Sequence, residues 1–155
     1  MTGISMEEYF IYTDGAARGN PGSSASGFIV IKGGRVIARK EVYNGIATNN
    51  YAEYNAIIEA LKWCLENTDA ANANLRVSSD SELVVRQLTG AYKLKSKALM
   101  LPNKKARELA GKFNSVSFNN VRREEKHVAA VDKAINVLLD SISKKTMETG
   151  KKEKY

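Results

Sequence analysis

Hydrophobic and polar positions alternate in short runs over the first third of the chain, then change to helical spacing. Residues 8–13 (EYFIYT) are rich in β-formers and run into Asp14-Gly15, which predicts a strand ending in a turn. Residues 26–31 and 36–43 predict two further strands, joined by the tight turn Lys32-Gly33-Gly34-Arg35. These three strands would form an antiparallel meander. Over residues 50–66, Ala52, Ala56, Ala60, Leu61, Cys64 and Leu65 recur at the spacing of a helix, with Thr48, Asn49 and Asn50 as candidate N-caps. Residues 75–78 predict a short strand, and 81–88 a helix stopped near Gly90. A helix follows over 98–113, with Pro102 either in its first turn or kinking it. A fifth strand over 116–121 and an amphipathic helix over 128–142 complete the pattern. Strands alternating with helices after the meander require at least one right-handed parallel crossover. The expected fold is α/β, a five-stranded mixed sheet with helices on both faces.

At 155 residues the chain is long enough to bury one core, and neither an internal repeat nor an interdomain linker interrupts it. Residues 1–143 are expected to form the domain. Residues 144–155 (KKTMETGKKEKY), with five lysines against two glutamates, are expected to form a flexible basic tail. No apolar run approaches membrane-spanning length, and MTGISMEEYF does not read as a secretion signal, so no membrane partner is expected. The single cysteine, Cys64, excludes an internal disulfide and fits a reducing, cytoplasmic compartment; it falls on an apolar helical face and reads as buried filler.

The net charge is +7, which favours polyanionic partners held through phosphate contacts. Lys93, Lys95, Lys97, Lys104, Lys105, Arg107 and Lys112 stand against one acid, Glu108, and read equally as a solvated face or a phosphate-tracking surface. Four acids carry the candidate chemistry: Asp14 in YTDGAARGNPG, Glu53 in TNNYAEYNA, Asp80 in VSSDSELVV and Asp132 in HVAAVDKAI. Carboxylates with one histidine and one cysteine in the whole chain suit hard divalent cations such as Mg²⁺ rather than zinc. The predicted elements bring all four acids toward one edge of the sheet.

The order of elements, with DGAARGNPG after the first strand, TNNYAEY at the first helix and SDSELVVRQ after the fourth strand, resembles type 1 ribonuclease H over about residues 9–140. The resemblance implies an endonuclease that hydrolyses the RNA strand of an RNA–DNA hybrid with two Mg²⁺ or Mn²⁺ ions, leaving 3′-hydroxyl and 5′-phosphate ends. It implies that Asp14 bridges both ions, that Glu53 and Asp80 hold the leaving-group ion, and that Asp132 holds the water-activating ion. Val128 and Val131 depart from the asparagine and alanine common before that last aspartate, and Asp140 is the alternative ligand. His127 matches an auxiliary histidine of many members, beside the plainer reading of a solvated or capping residue. Asn20, Asn49 and Asn50 match positions lining the RNA strand, Thr48 a hydroxyl that seats a DNA phosphate, and Arg18 is a further phosphate candidate. Trp63 lies within a helix, and no tryptophan-rich basic protrusion is evident, so the compact form is expected. Double-stranded RNA, which shares A-form features and 2′-hydroxyls, is a further candidate substrate, and a monomer is expected. A noncatalytic nucleic-acid-binding domain of the same fold is the alternative. An ATP-handling actin-like domain is a third reading that leaves TNNYAEY without a role.

Overall fold

The computed structural model describes the backbone of residues 5–153 and the side chains of residues 5–147. Strands β1 (Glu7–Gly19), β2 (Gly22–Lys32) and β3 (Arg35–Ala47) form the antiparallel meander. Helix α1 (Asn49–Asn67) follows, then a single 3₁₀ turn at Ala70–Asn72, strand β4 (Ala73–Ser79), helices α2 (Glu82–Thr89) and α3 (Lys97–Ala110), strand β5 (Ser115–Asn120) and helix α4 (Lys126–Glu153). The strand order is β3-β2-β1-β4-β5, with β4 parallel to both β1 and β5. This is the expected mixed sheet. Among the described residues no helix is long and apolar enough to cross a membrane.

Alternation along β1 sorts its side chains onto two faces. Tyr9 and Ile11 join Phe28, Val30, Leu75 and Val77 beneath α1, α2 and α3, where Ile57, Leu61, Val84 and Leu109 complete the larger core. Tyr12 and Ala16 point the other way, toward Val131, Ile135 and Leu139 of α4. Val128 and Val131 are buried. Branched apolar residues at these two positions seal the helix to the sheet. A side chain on Gly27 would place its Cβ 2.8 Å from Ile135 and 2.9 Å from Val131, so the missing side chain lets α4 lie close on β2.

Three expectations change. Asp14 does not close β1: the strand continues to Gly19 because β2 offers it an antiparallel partner as far as Gly22. Pro102 lies inside α3, beyond the first turn, on the buried side. The helix expected over 128–142 runs from Lys126 to Glu153, so residues 144–153 continue α4 without a break; residues 154–155 lie outside the described residues. Tyr54, Gln87 and Asn103 tie α1, α2 and α3 together inside the larger core. The tyrosine hydroxyl donates to Gln87 at 2.7 Å and accepts from the Asn103 amide at 3.0 Å, so none of the three is left unpaired. Cys64 is buried, as expected, and burial pushes its thiol up to about 12, which keeps it inert.

Candidate active site

The parallel pairing of β1 with β4 ends at Thr13↔Ser79, although β1 itself continues. Asp14 follows on β1 and Asp80 lies just past the end of β4, where β4 leaves the sheet. Asp14 shares the α4-side face with Tyr12 and Ala16. Glu53 enters from the opposite side, on the second turn of α1. Gly15 permits this, because a Cβ there would lie 2.3 Å from the Ala52 carbonyl carbon, against the α1 backbone. With no side chain in the way, the Gly15 backbone N–H donates to Glu53 Oε1 at 2.9 Å, and the Ser79 hydroxyl donates to Oε2 at 3.2 Å. Ser79 is anchored in turn, its carbonyl accepting from Val121 N at 2.9 Å and Asn120 Nδ2 at 3.1 Å.

One ligand atom each from Asp14, Glu53 and Asp80 lies within 4.8 Å of the others. Asp14 and Glu53 are buried, and Asp80 is partly so. Burial raises the Asp14 carboxyl far above the usual carboxylate range, and the Glu53 and Asp80 charges raise it further. Burial raises Glu53 as well, with Asp80 adding to it, while the Gly15 N–H opposes the shift. Asp80 is raised chiefly by burial, with Arg123 nearby pulling the other way. Like charges so close and so dry are held most economically by a cation between them, and three carboxylates are the donor set that a hard divalent ion requires.

Asp132, on α4, lies outside the group of three whose ligand atoms converge within 4.8 Å, although it adds to the rise of the Asp14 carboxyl. Its Oδ1 accepts from Asn136 Nδ2 at 3.2 Å, and its backbone carbonyl accepts from the same group at 2.9 Å. Asp140, the alternative, is turned elsewhere and pairs with Arg18 at 2.7 Å. Arg18, offered as a phosphate contact, therefore has a partner already, and it also donates to the Asn136 carbonyl and side-chain oxygens at 3.2 Å.

His127 is neither free nor a cap. Its ring stacks on Tyr12, centroids 4.4 Å apart, and Nδ1 sits 3.0 Å from Glu125 Oε1. The cap is Glu125, whose Oε2 accepts from His127 N at 2.8 Å and Val128 N at 2.9 Å. Burial opposes ionisation of Glu125, but the Val128 and His127 N–H groups outweigh it and hold the carboxyl below its usual range. Tyr12 lies two residues before Asp14 on the same face, so its stack with the imidazole borders the carboxylates.

The polar residues beside α1 hold one another. Thr48, not Asn49 or Asn50, is the N-cap, its hydroxyl accepting from Tyr51 N at 3.1 Å. Asn49 Oδ1 accepts from Ala17 N at 2.8 Å, and Asn20 Oδ1 accepts from Asn49 N at 3.0 Å. Each amide thus spends its oxygen on the backbone and turns its NH₂ outward as a donor. Asn50 follows on the first turn, half-buried. Sequence reasoning missed Gly15, Ser79, Tyr12, Glu125 and Asn136. Gly15 alone had a local signal, the glycine directly after Asp14.

The family profile described as RNase H matches residues 6–148. Ribonuclease HI of Halobacterium salinarum is 40% identical over 113 residues, covering 72% of this chain and 55% of that protein. The bifunctional protein Rv2228c of Mycobacterium tuberculosis is 34% identical over 135 residues, covering 84% of this chain and 35% of that protein. The chain thus spans about half of the first relative's length and about a third of the second's. Among solved structures, the N-terminal RNase H domain of Rv2228c superposes with a TM-score of 0.82 at 30% identity, over 90% of this chain and 99% of that one. LC11-RNase H1 in complex with an RNA/DNA hybrid superposes with a TM-score of 0.80 at 33% identity, over 86% and 98%. With a profile match across nearly the whole domain and the carboxylate cluster at the end of β4, the chain belongs to the ribonuclease H family.

Proposed function

We propose that this chain is a metal-dependent endoribonuclease that cleaves the RNA strand of an RNA–DNA hybrid, leaving a 3′-hydroxyl and a 5′-phosphate. The observation that carries this reading is the convergence of Asp14, Glu53 and Asp80 within 4.8 Å, in a setting where they repel one another without a cation. Asp14, Glu53, Asp80 and Asp132 would hold two Mg²⁺ or Mn²⁺ ions. Bound there, such ions would supply an activated water and neutralise the oxygen that leaves. The chain's own residues do the rest. Gly15 N–H and Ser79 Oγ orient Glu53, so the buried carboxylate presents a fixed edge. Asn20 and Asn49, their oxygens held by backbone N–H groups, would offer their NH₂ donors to substrate, where a ribose 2′-hydroxyl oxygen is a fitting acceptor. Thr48, at the N-terminus of α1, borders backbone N–H groups suited to a phosphate. His127, fixed by Tyr12 and Glu125, would play an auxiliary part at the edge of the site.

The relative solved with an RNA/DNA hybrid supports a hybrid as substrate. The test is cleavage of a matched hybrid, double-stranded RNA and duplex DNA, each with Mg²⁺, Mn²⁺ or chelator. Cleavage of hybrid alone, abolished by chelator, is the expected result. Hybrid binding without cleavage under any metal would instead support a noncatalytic binding domain, and equal cleavage of double-stranded RNA would widen the substrate class.

A further inference from the structure

We infer that Asn136 is a positioning residue: together with Arg18 it sets the orientation of the Asp132 carboxylate and ties that ligand to the substrate-facing hairpin. The inference rests on the reading of Asp132 as a metal ligand.

Asn136 lies one helical turn after Asp132 on α4 and faces two partners of opposite character. Arg18 has only donors, and its Nη2 is 3.2 Å from Asn136 Oδ1. Asp132 offers only acceptors on that side, at 3.2 Å from Oδ1 and 2.9 Å from its backbone oxygen to Asn136 Nδ2. The amide can therefore sit only one way round, oxygen to Arg18 and NH₂ to Asp132. Arg18 is itself oriented by Asp140 at 2.7 Å and by the Asn136 carbonyl at 3.2 Å. The result is a chain of contacts, Asp140 to Arg18 to Asn136 to Asp132.

Asp132 needs such a partner more than the other acids do. Glu53 is gripped by a backbone N–H and a hydroxyl, whereas Asp132 is half-exposed, and its only described side-chain partner outside the acidic cluster is Asn136. A ligand on a solvent-facing helical turn would otherwise sample several rotamers. The same Arg18 stands at the end of β1, two residues before Asn20, whose oxygen accepts from Asn49 N. Asn136 thereby joins the fourth acid to the loop that carries the substrate-facing amides.

The test compares Asn136→Ala, Asn136→Leu and Asn136→Gln in the full chain. The primary readout is Mn²⁺ and Mg²⁺ affinity of the substrate-free protein by isothermal titration calorimetry, beside kcat and KM for a hybrid across metal concentrations. Groups that orient a metal ligand typically contribute about 10–100-fold to metal affinity or activity. Asn136→Ala and Asn136→Leu should weaken divalent binding by about 10-fold, at the lower end because one of four ligands is affected. kcat should fall at limiting Mg²⁺ and recover at high Mg²⁺, while KM for hybrid stays near the parent value. Asn136→Gln should restore most of the loss, since a glutamine four residues after an aspartate can still donate to it on a helix. Arg18→Met should weaken metal binding in the same direction, by less. The inference is overturned if metal affinity is unchanged in a folded Asn136→Ala, or if leucine rescues as well as glutamine, which would make the role one of packing. Asp132→Asn separates the two levels. If it leaves metal affinity and cleavage intact, the ligand assignment beneath the inference fails; if it removes them while Asn136→Ala does nothing, only the positioning role fails.

Discussion

Replacing Asp14 with asparagine should abolish cleavage and, in chelator, make the fold more stable. The carboxylate oxygens of Asp14, Glu53 and Asp80 lie within 4.8 Å of one another. At an effective dielectric constant near 20, two full charges that far apart repel by about 3 kcal/mol. The folded protein avoids this by keeping protons that the unfolded chain has released, as the raised Asp14 and Glu53 carboxyls indicate. A carboxyl raised by folding stabilises the fold fully below its unfolded value near pH 4 and loses that contribution as pH rises toward the folded value. The loss is about 1.4 kcal/mol per pH unit per group, so metal-free wild type should be weakened progressively from about pH 4 to above neutrality. Asparagine keeps the size and hydrogen-bonding reach of Asp14 but removes one member of the cluster. At that slope a gain of about 5 kcal/mol is expected at pH 8, which for a chain of this size raises Tm by roughly 10–20 °C. At pH 5 the gain should shrink to about 1 kcal/mol.

The assay is thermal unfolding of both proteins in chelator at pH 5 and pH 8, repeated with Mg²⁺. Added Mg²⁺ should raise the Tm of wild type far more than that of the variant, because binding to the folded state alone is stabilising. A variant that melts at or below wild type at pH 8, or whose advantage does not shrink at pH 5, would refute the argument that these carboxylates are held together against their own repulsion. Loss of activity without the stability gain would leave Asp14 essential but the electrostatic account wrong.

Three further outcomes follow from the geometry. Asp132→Asn should remove most cleavage, whereas Asp140→Asn should retain it within a few-fold, since an exposed ion pair such as Arg18–Asp140 contributes only ~0–1 kcal/mol; hybrid cleavage at saturating Mg²⁺ decides between them. His127→Ala should lower kcat by less than about 10²-fold, below the usual range of general acid–base catalysis, and reduce stability by about 1 kcal/mol through the lost Tyr12 stack; pH–rate profiles and melting curves read the two separately. Alanine at both Asn20 and Asn49 should lower Tm, each lost hydrogen bond being worth ~0.5–1.5 kcal/mol, and should also raise KM for hybrid at temperatures well below melting. Lower Tm with normal KM would confine the two amides to a structural role.

What the sequence made legible and what it hid divide along physical lines. Asp14, Glu53 and Asp80 could be found because each lies in a local segment whose period places it: one on a strand, one on the second turn of a helix, one just past a strand's end. The course of β1 was hidden because Asp14-Gly15 has the composition of a turn, and only antiparallel pairing with residues 22–27 across the hairpin keeps the backbone extended. The helix expected over 128–142 continues to Glu153, since lysine, glutamate and methionine are good helix formers and extending an existing helix avoids the cost of nucleation. The start of α4 was misplaced by two residues because glutamate is not among the preferred N-cap types, and Glu125 fills that place only with His127 and Val128 above it.

The fourth acid exposes the limit most clearly. Asp132 and Asp140 sit on one helix, eight residues and therefore about 12 Å apart along its axis. Periodicity marks both as polar positions and cannot prefer one. What separates them in the fold is their partners: Asp132 is held by Asn136, while Arg18, near the end of β1, pairs with Asp140. A strand running six residues past its expected end thus brings an arginine to one of the two aspartates. The length of β1 is therefore a determinant of the site as well as of the fold.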